Sequence, residues 1–195
     1  MGKVKNTKIY QILESAADKL GGKLTYSYQQ LNGGMMTGGL YNFVIATNWN
    51  GLSLQITSSL DELPLQKDEY DSCQIKITAY KKSPNETNLS IWRRDYFDRI
   101  FGFGILKTGF KDFDKIIALK SSKNIEKYIR KVFENQSLRT ELINDVYRTI
   151  NIHSDKGKII IQRKSALRMK NKEMIIDDYN RFGLFLTGLK DANII

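Results

Sequence analysis

Gly102-Phe103-Gly104-Ile105-Leu106-Lys107-Thr108-Gly109-Phe110-Lys111-Asp112-Phe113-Asp114-Lys115-Ile116-Ile117-Ala118-Leu119 packs three glycines and three phenylalanines into its first twelve positions, ahead of an apolar run. Glycine opens backbone angles closed to other residues, and large aromatic rings fill cores. The stretch therefore reads as a loop pinned into the fold, joining a front half to a helical back half. It predicts Phe110 and Phe113 in the core and a strand over 113–119.

Upstream, Ile9, Ile12, Leu13, Ala16, Ala17 and Leu20 recur at helical spacing, with Thr7 as N-cap and Gly21-Gly22 as a left-handed stop. A strand over 24–28 leads to Asn32-Gly33-Gly34 and Gly38-Gly39. A phosphate-cradling loop would need Gly-Lys-Ser/Thr opening a helix, and here β-rich sequence follows, so a strand connection is expected. Residues 40–49 and 52–59 alternate around Asn50-Gly51, the signature of a type I′ hairpin, with Trp49 as a cross-strand packing residue. Asp61-Glu62 and Asp68-Glu69-Tyr70-Asp71 read as a solvated acidic loop, with a metal or acid–base pair as the alternative. Two more strands follow, over 74–81 and 89–94.

Downstream, Ser121 and Ser122 precede a helical stripe of Ile125, Tyr128, Ile129, Val132 and Phe133. A break at 135–137 opens a second stripe of Leu138, Leu142, Ile143, Val146 and Tyr147. A hairpin turns at Asp155-Lys156-Gly157, with Ile150 and Ile152 inward on one strand and Ile159 and Ile161 on the other. A last helix over about 173–190 carries Ile175, Tyr179, Phe182, Phe185, Leu186 and Leu189. The fold class is therefore α+β, a mainly antiparallel sheet with helices packed on one face. It forms a single compact domain over 1–195, with 1–98 and 99–195 as candidate sub-halves.

No stretch reaches the roughly 18 apolar residues that span a bilayer, and no apolar segment follows the basic N-terminus as in a secretion signal. One cysteine, Cys73, excludes an internal disulfide, and the expected compartment is the cytoplasm. The formal net charge is +10. Residues 1–98 hold 11 basic against 10 acidic side chains, and residues 99–195 hold 20 against 11, so the back half favours an anionic partner. Within it, residues 156–172 contain Lys156, Lys158, Arg163, Lys164, Arg168, Lys170 and Lys172 and no acid. These seven are the candidate anion-binding residues, set on the hairpin and on a solvated arm after Arg163.

Order and motif together resemble a loose group of uncharacterised bacterial α+β domains. The residues that carry the likeness are the Phe110–Asp114 entry, the helix pair through Phe133-Glu134-Asn135-Gln136-Ser137-Leu138, the hairpin and the last helix. The resemblance implies the α+β fold and a bacterial origin, and brings no activity with it. Many domains of that group are attached to membrane segments, which this sequence lacks.

For catalysis the sequence offers little. His153 and Cys73 are singletons, and neither metal-ligand spacing nor a nucleophile motif is present. Asp112 and Asp114 would share a face on a strand as a carboxylate pair for hydrolysis, but turn chemistry, in which Asp bonds nearby backbone, is the stronger reading. The expected function is non-enzymatic binding to a protein partner, with no cofactor or metal. The alternative is electrostatic binding to nucleic acid or an anionic lipid surface through the basic back half.

Overall fold

In a computed structural model, residues 4–33, 36–61, 73–82, 87–102, 104–145 and 148–195 are described. The structure is α+β: eight strands and six helices among these residues, with strand order β1-β2-β3-β4-β8-β7-β5-β6. The chain divides into two compact units, Met1–Thr78 with Ser165–Tyr179, and Ala79–Lys164 with Asn180–Ile195. The boundaries fall inside β4 (Cys73–Lys82), β8 (Lys158–Met169) and α6 (Lys172–Asp191), so each of these elements contributes to both.

In the first unit, α1 (Lys8–Lys19) begins where the Thr7 hydroxyl accepts from the Tyr10 N–H, and stops at Gly21, whose φ is +59°. Its buried stripe is Ile9, Tyr10, Ile12, Leu13, Ala16 and Ala17, as the spacing predicts. Strands β1 (Lys23–Gly33), β2 (Met36–Trp49) and β3 (Leu52–Asp61) form an antiparallel meander. Register sets Phe43, Ile45 and Thr47 opposite Ser58, Ile56 and Leu54 on one face, and Phe43, Ile45, Leu54, Ile56 and Ser58 are buried there. The Tyr10 ring meets Tyr26 and Phe43 on that face, and Tyr179 of α6 meets Trp49 edge-on at 5.3 Å. Both helices thus cover the same side.

Asn50 and Gly51 sit at φ +46° and +88°, the positive values a type I′ turn requires, and the Asn48 side chain accepts the Gly51 N–H at 2.8 Å. Trp49 pairs with Leu52 across the turn, but its ring packs on the last helix. The expected strand connection narrows to residues 34–35, outside the described residues: Gly33 pairs with Met36, and Gly38 and Gly39 pair with Leu31 and Gln30, within the β1–β2 ladder. Cys73 is buried at the start of β4. The acidic residues 62–71 and the loop 83–85 lie outside the described residues.

In the second unit, β5 (Leu89–Arg93) pairs antiparallel with both β6 (Ile117–Ser121) and β7 (Arg148–Asp155). Three corrections apply here. The 113–119 segment is not one strand: α3 (Lys111–Ile116) occupies its first part and β6 begins only at Ile117. Apolar residues at Phe113 and Ile116 serve a helical turn as readily as a strand, and the Asp114 side chain draws the preceding loop back onto that turn. An additional helix that the sequence pattern does not predict, α2 (Tyr96–Phe101), follows β5. It starts with a capping box in which Asp95 accepts from the Asp98 N–H and Asp98 accepts from the Asp95 N–H. Finally, no solvated arm follows Arg163: β8 continues to Met169, with Ser165 and Met169 buried.

Helices α4 (Lys123–Val132) and α5 (Gln136–Asn144) bury Ile125, Ile129, Val132, Leu138 and Leu142. The Asn135 side chain caps α5 by accepting the Leu138 N–H. On α6, Gly188 lets the helix approach closely. A β-carbon there would stand 3.2 Å from Leu138 Cδ2 and 3.3 Å from the Val132 carbonyl oxygen. The hairpin turns on Lys156 and Gly157, both at positive φ, with Ile150, Ile152, Ile159 and Ile161 buried as expected.

Candidate functional site: a cationic cleft beside α3

The cleft is assembled from short-range backbone anchors. Directly after β5, the Arg94 N–H donates to the Ile116 carbonyl at 2.8 Å, tying Arg94 to the end of α3. The Leu106 N–H donates to Leu119 at 2.8 Å, and Thr108 is held through both its N–H and its hydroxyl by Asp114 Oδ1 at 3.0 and 2.8 Å. Lys107 therefore sits between two fixed points. Asp114 Oδ2 also accepts the Gly109 N–H at 3.0 Å, where Gly109 takes φ +90°. On α3, Lys111 and Lys115 lie one turn apart and so share a face.

The result is a cleft of about 520 Å³ lined by Arg94, Lys107, Lys111, Asp114, Lys115 and Ile116. Four cations surround one carboxylate, and that carboxylate is turned into the loop by three hydrogen bonds. The Arg94 Nε is buried without a hydrogen-bond partner, whereas its backbone N–H is bonded. Among the described residues none of the four cations has an ion-pair partner. A buried donor with no acceptor costs about 1–3 kcal/mol.

A neighbouring cleft of about 370 Å³ shares Lys111 and is walled by Phe110, Asp112, Gln136, Arg139 and Thr140. Here the Arg139 guanidinium lies 4.0 Å from the Phe110 ring centre and also donates to the carbonyls of Phe133 and Glu134. Both of these bonds leave from Nη1, which ties the guanidinium to the end of α4. Asp112 is exposed and Asp114 buried, so the two are not a facing pair. Asp114 performs the turn chemistry, bonding backbone five and six residues earlier.

Of the seven cations expected to bind anions, Arg163 is corrected. It is buried, 1% exposed, and paired with buried Asp145. Its parity on β8 places it inward with Ile159 and Ile161, so the same alternation that orients the hairpin directs it to the core. Lys156, Lys158 and Lys164 are exposed in the second unit. In the first unit Arg168 and Lys170 are exposed and Lys172 is half-buried. Arg94, Lys107, Lys111 and Lys115 did not stand out in the sequence, because they are scattered over twenty-two positions among acids. The only hint was Lys111 and Lys115 at helical spacing, hidden by the strand assignment.

Burial pushes the Cys73 thiol up to about 11, against smaller opposing effects from Ser58 and Arg168, so at neutral pH it is a protonated, enclosed thiol. Among the described residues no group of three or more His, Cys, Asp or Glu side chains is placed to hold a metal ion, and no helix is long and apolar enough to cross a membrane. No family model, curated protein or solved structure matches the chain.

Proposed function

We propose that the chain is a binding module whose site is the Arg94–Lys107–Lys111–Lys115 cleft and whose ligand presents a phosphate group. The observation that carries this reading is the convergence of Arg94 and three lysines on one cleft, none of them ion-paired among the described residues. Guanidinium suits the planar, multi-oxygen geometry of phosphate, and lysines on flexible stems add charge around it. Convergence from three separate segments, tied by backbone hydrogen bonds, fixes the backbone positions from which the cations extend, which a solvated charge run lacks. This reading keeps the expectation of an anionic partner and moves its site from 156–172 to 94–115, with Arg94 supplied by the front half.

Isothermal titration with inorganic pyrophosphate at low and physiological salt tests it. Saturable binding is expected, weakening as salt rises. Arg94→Gln and Lys111→Gln should each weaken it roughly tenfold, as loss of a charge-assisted hydrogen bond does. Lys156→Gln with Lys158→Gln should leave it unchanged. Absence of saturable binding, or equal weakening by the control pair, overturns the assignment.

A protein partner remains the second reading, favoured by the exposed face of α2, where Tyr96, Phe97 and Ile100 are 71%, 67% and 53% exposed.

A further inference from the structure

The chain that supplies Arg94 to the cleft runs directly into α2, and α2 shows an apolar face to solvent. Tyr96, Phe97 and Ile100 occupy that face at i, i+1 and i+4, which on a helix is one side. The helix is fixed rather than frayed. Its capping box closes the first turn, and the Trp92 indole N–H donates to Asp98 Oδ2 at 2.7 Å, tying the helix to β5. At the other end, a β-carbon on Gly102 would stand 2.4 Å from the Asp98 carbonyl oxygen, so the chain closes tightly there. Two acids near the patch, Asp95 and Asp98, are engaged in the cap. Three large apolar side chains are thus held out to water two to six residues from a cation of the phosphate cleft.

From this juxtaposition we infer that the cleft and α2 together dock the chain on an anionic lipid surface. A headgroup phosphate sits among Arg94, Lys107, Lys111 and Lys115, while Tyr96, Phe97 and Ile100 enter the headgroup–acyl boundary. The inference rests on the phosphate reading above. Charge complementarity selects a polyanion, and the chemistry of the apolar face selects which one. Single-stranded nucleic acid would use ring faces as stacking platforms. Here the Tyr96 and Phe97 rings meet edge to face, 5.9 Å apart at 82°, so they pack on each other instead of offering two parallel faces. Ile100 has no π face at all, and its exposure is useful only to a partner with an apolar phase. Aromatic and aliphatic side chains beside lysines and arginines are the composition of interfacial anchors.

The test uses the full chain and vesicles of phosphatidylcholine alone or with 30 mol%, by design roughly the anionic fraction of a charged leaflet, of phosphatidylserine. Co-sedimentation is read at low and physiological salt, beside binding to a poly(dT) oligonucleotide and to inorganic pyrophosphate. Expected is binding to the serine-containing vesicles only, weakened by salt. Phe97→Ser with Ile100→Ser should reduce vesicle partitioning roughly tenfold or more, as withdrawal of two buried apolar groups implies, and leave pyrophosphate affinity unchanged. Lys107→Gln should weaken vesicle binding about fivefold. Unchanged thermal unfolding checks that the exposed substitutions leave the fold intact, and Phe97→Tyr alone, retaining an interfacial ring, should keep most of the wild-type vesicle binding.

Pyrophosphate binding without vesicle binding overturns the lipid inference and leaves the phosphate reading standing. Loss of both overturns both. Vesicle binding indifferent to the α2 substitutions overturns insertion, and a preference for poly(dT) that falls with those substitutions assigns the face to nucleic acid instead. An α2-dependent complex with a protein, with no vesicle binding, likewise overturns it.

Discussion

Arg163 on β8 donates through Nη2 to Asp145, which follows α5, and the two side chains are only 2% and 6% exposed. An ion pair withdrawn from water is balanced between desolvation and mutual attraction, so it is far more costly to halve than to replace. Arg163→Met alone should lower unfolding free energy by roughly 3–5 kcal/mol. Adding Asp145→Leu should recover a substantial part of that loss. Urea denaturation of the two singles and the double checks it, and strictly additive losses would show that the residues do not act as a unit.

Asp114 is the next test, because its carboxylate holds the loop that carries Lys107. It accepts three hydrogen bonds, from the Thr108 N–H and hydroxyl and from the Gly109 N–H. Asp114→Ala leaves those donors without an acceptor and should cost about 2–4 kcal/mol, the range for orphaning donors to a charged, buried group. It should also weaken pyrophosphate binding despite removing a negative charge from the cleft. Tighter binding in the variant would mean that loop order matters less than net charge.

The two phenylalanines of the organising stretch separate in burial. Phe113 is 1% exposed and packs against Phe133 at 4.8 Å, whereas Phe110 is half-buried beneath Arg139. Phe113→Ala should therefore cost roughly 3–5 kcal/mol, and Phe110→Ala clearly less, with a cation–π share of about 0.5–1 kcal/mol. Equal losses in chemical denaturation would contradict this ordering.

Alkaline stability should report Cys73. Its folded thiol is raised by burial to about 11 from an ordinary value of 9.0. The stabilisation is complete below the unfolded value and disappears as pH rises through the folded one, so the affected window is pH 9 to 11. Its size is on the order of 2–3 kcal/mol. Burial raises Tyr10 and Tyr179 in the same direction, so the informative comparison is wild type against Cys73→Ala, which should lose less stability between those pH values. Parallel curves would show that the thiol does not contribute. Native protein at pH 8 should also resist a thiol reagent until unfolded.

At the β2–β3 turn, Gly51→Val forces a β-branched residue to φ +88°. Loss of about 1 kcal/mol or more is expected from thermal or chemical unfolding. Gly51→Asn, which tolerates the left-handed region better, should lose less. If valine is tolerated as well as asparagine, the turn does not constrain the meander.

Local chemistry in the sequence was enough for several elements. Thr7 and the Ile9–Ala17 stripe define α1, Asn50-Gly51 sets the β2–β3 register, and the isoleucines around Lys156-Gly157 orient the last hairpin. These depend on near neighbours, on cap bonds, turn angles and two- or 3.6-residue alternation, so adjacent residues suffice to specify them. Parity along β8 even placed Arg163 inward, although reading it as part of a charge run hid that consequence. What nearby residues did not decide was whether 111–116 would be helix or strand, since Phe113 and Ile116 suit either. Pairing with β5 settles it: the ladder reaches only to Arg93 opposite Ile117, with the Arg94 N–H on the Ile116 carbonyl, so the strand starts there. The candidate site has the same origin. Arg94, Lys107, Lys111 and Lys115 form no pattern along the chain, and only the folding of β5, the glycine loop and α3 onto one another brings their charges into one cleft.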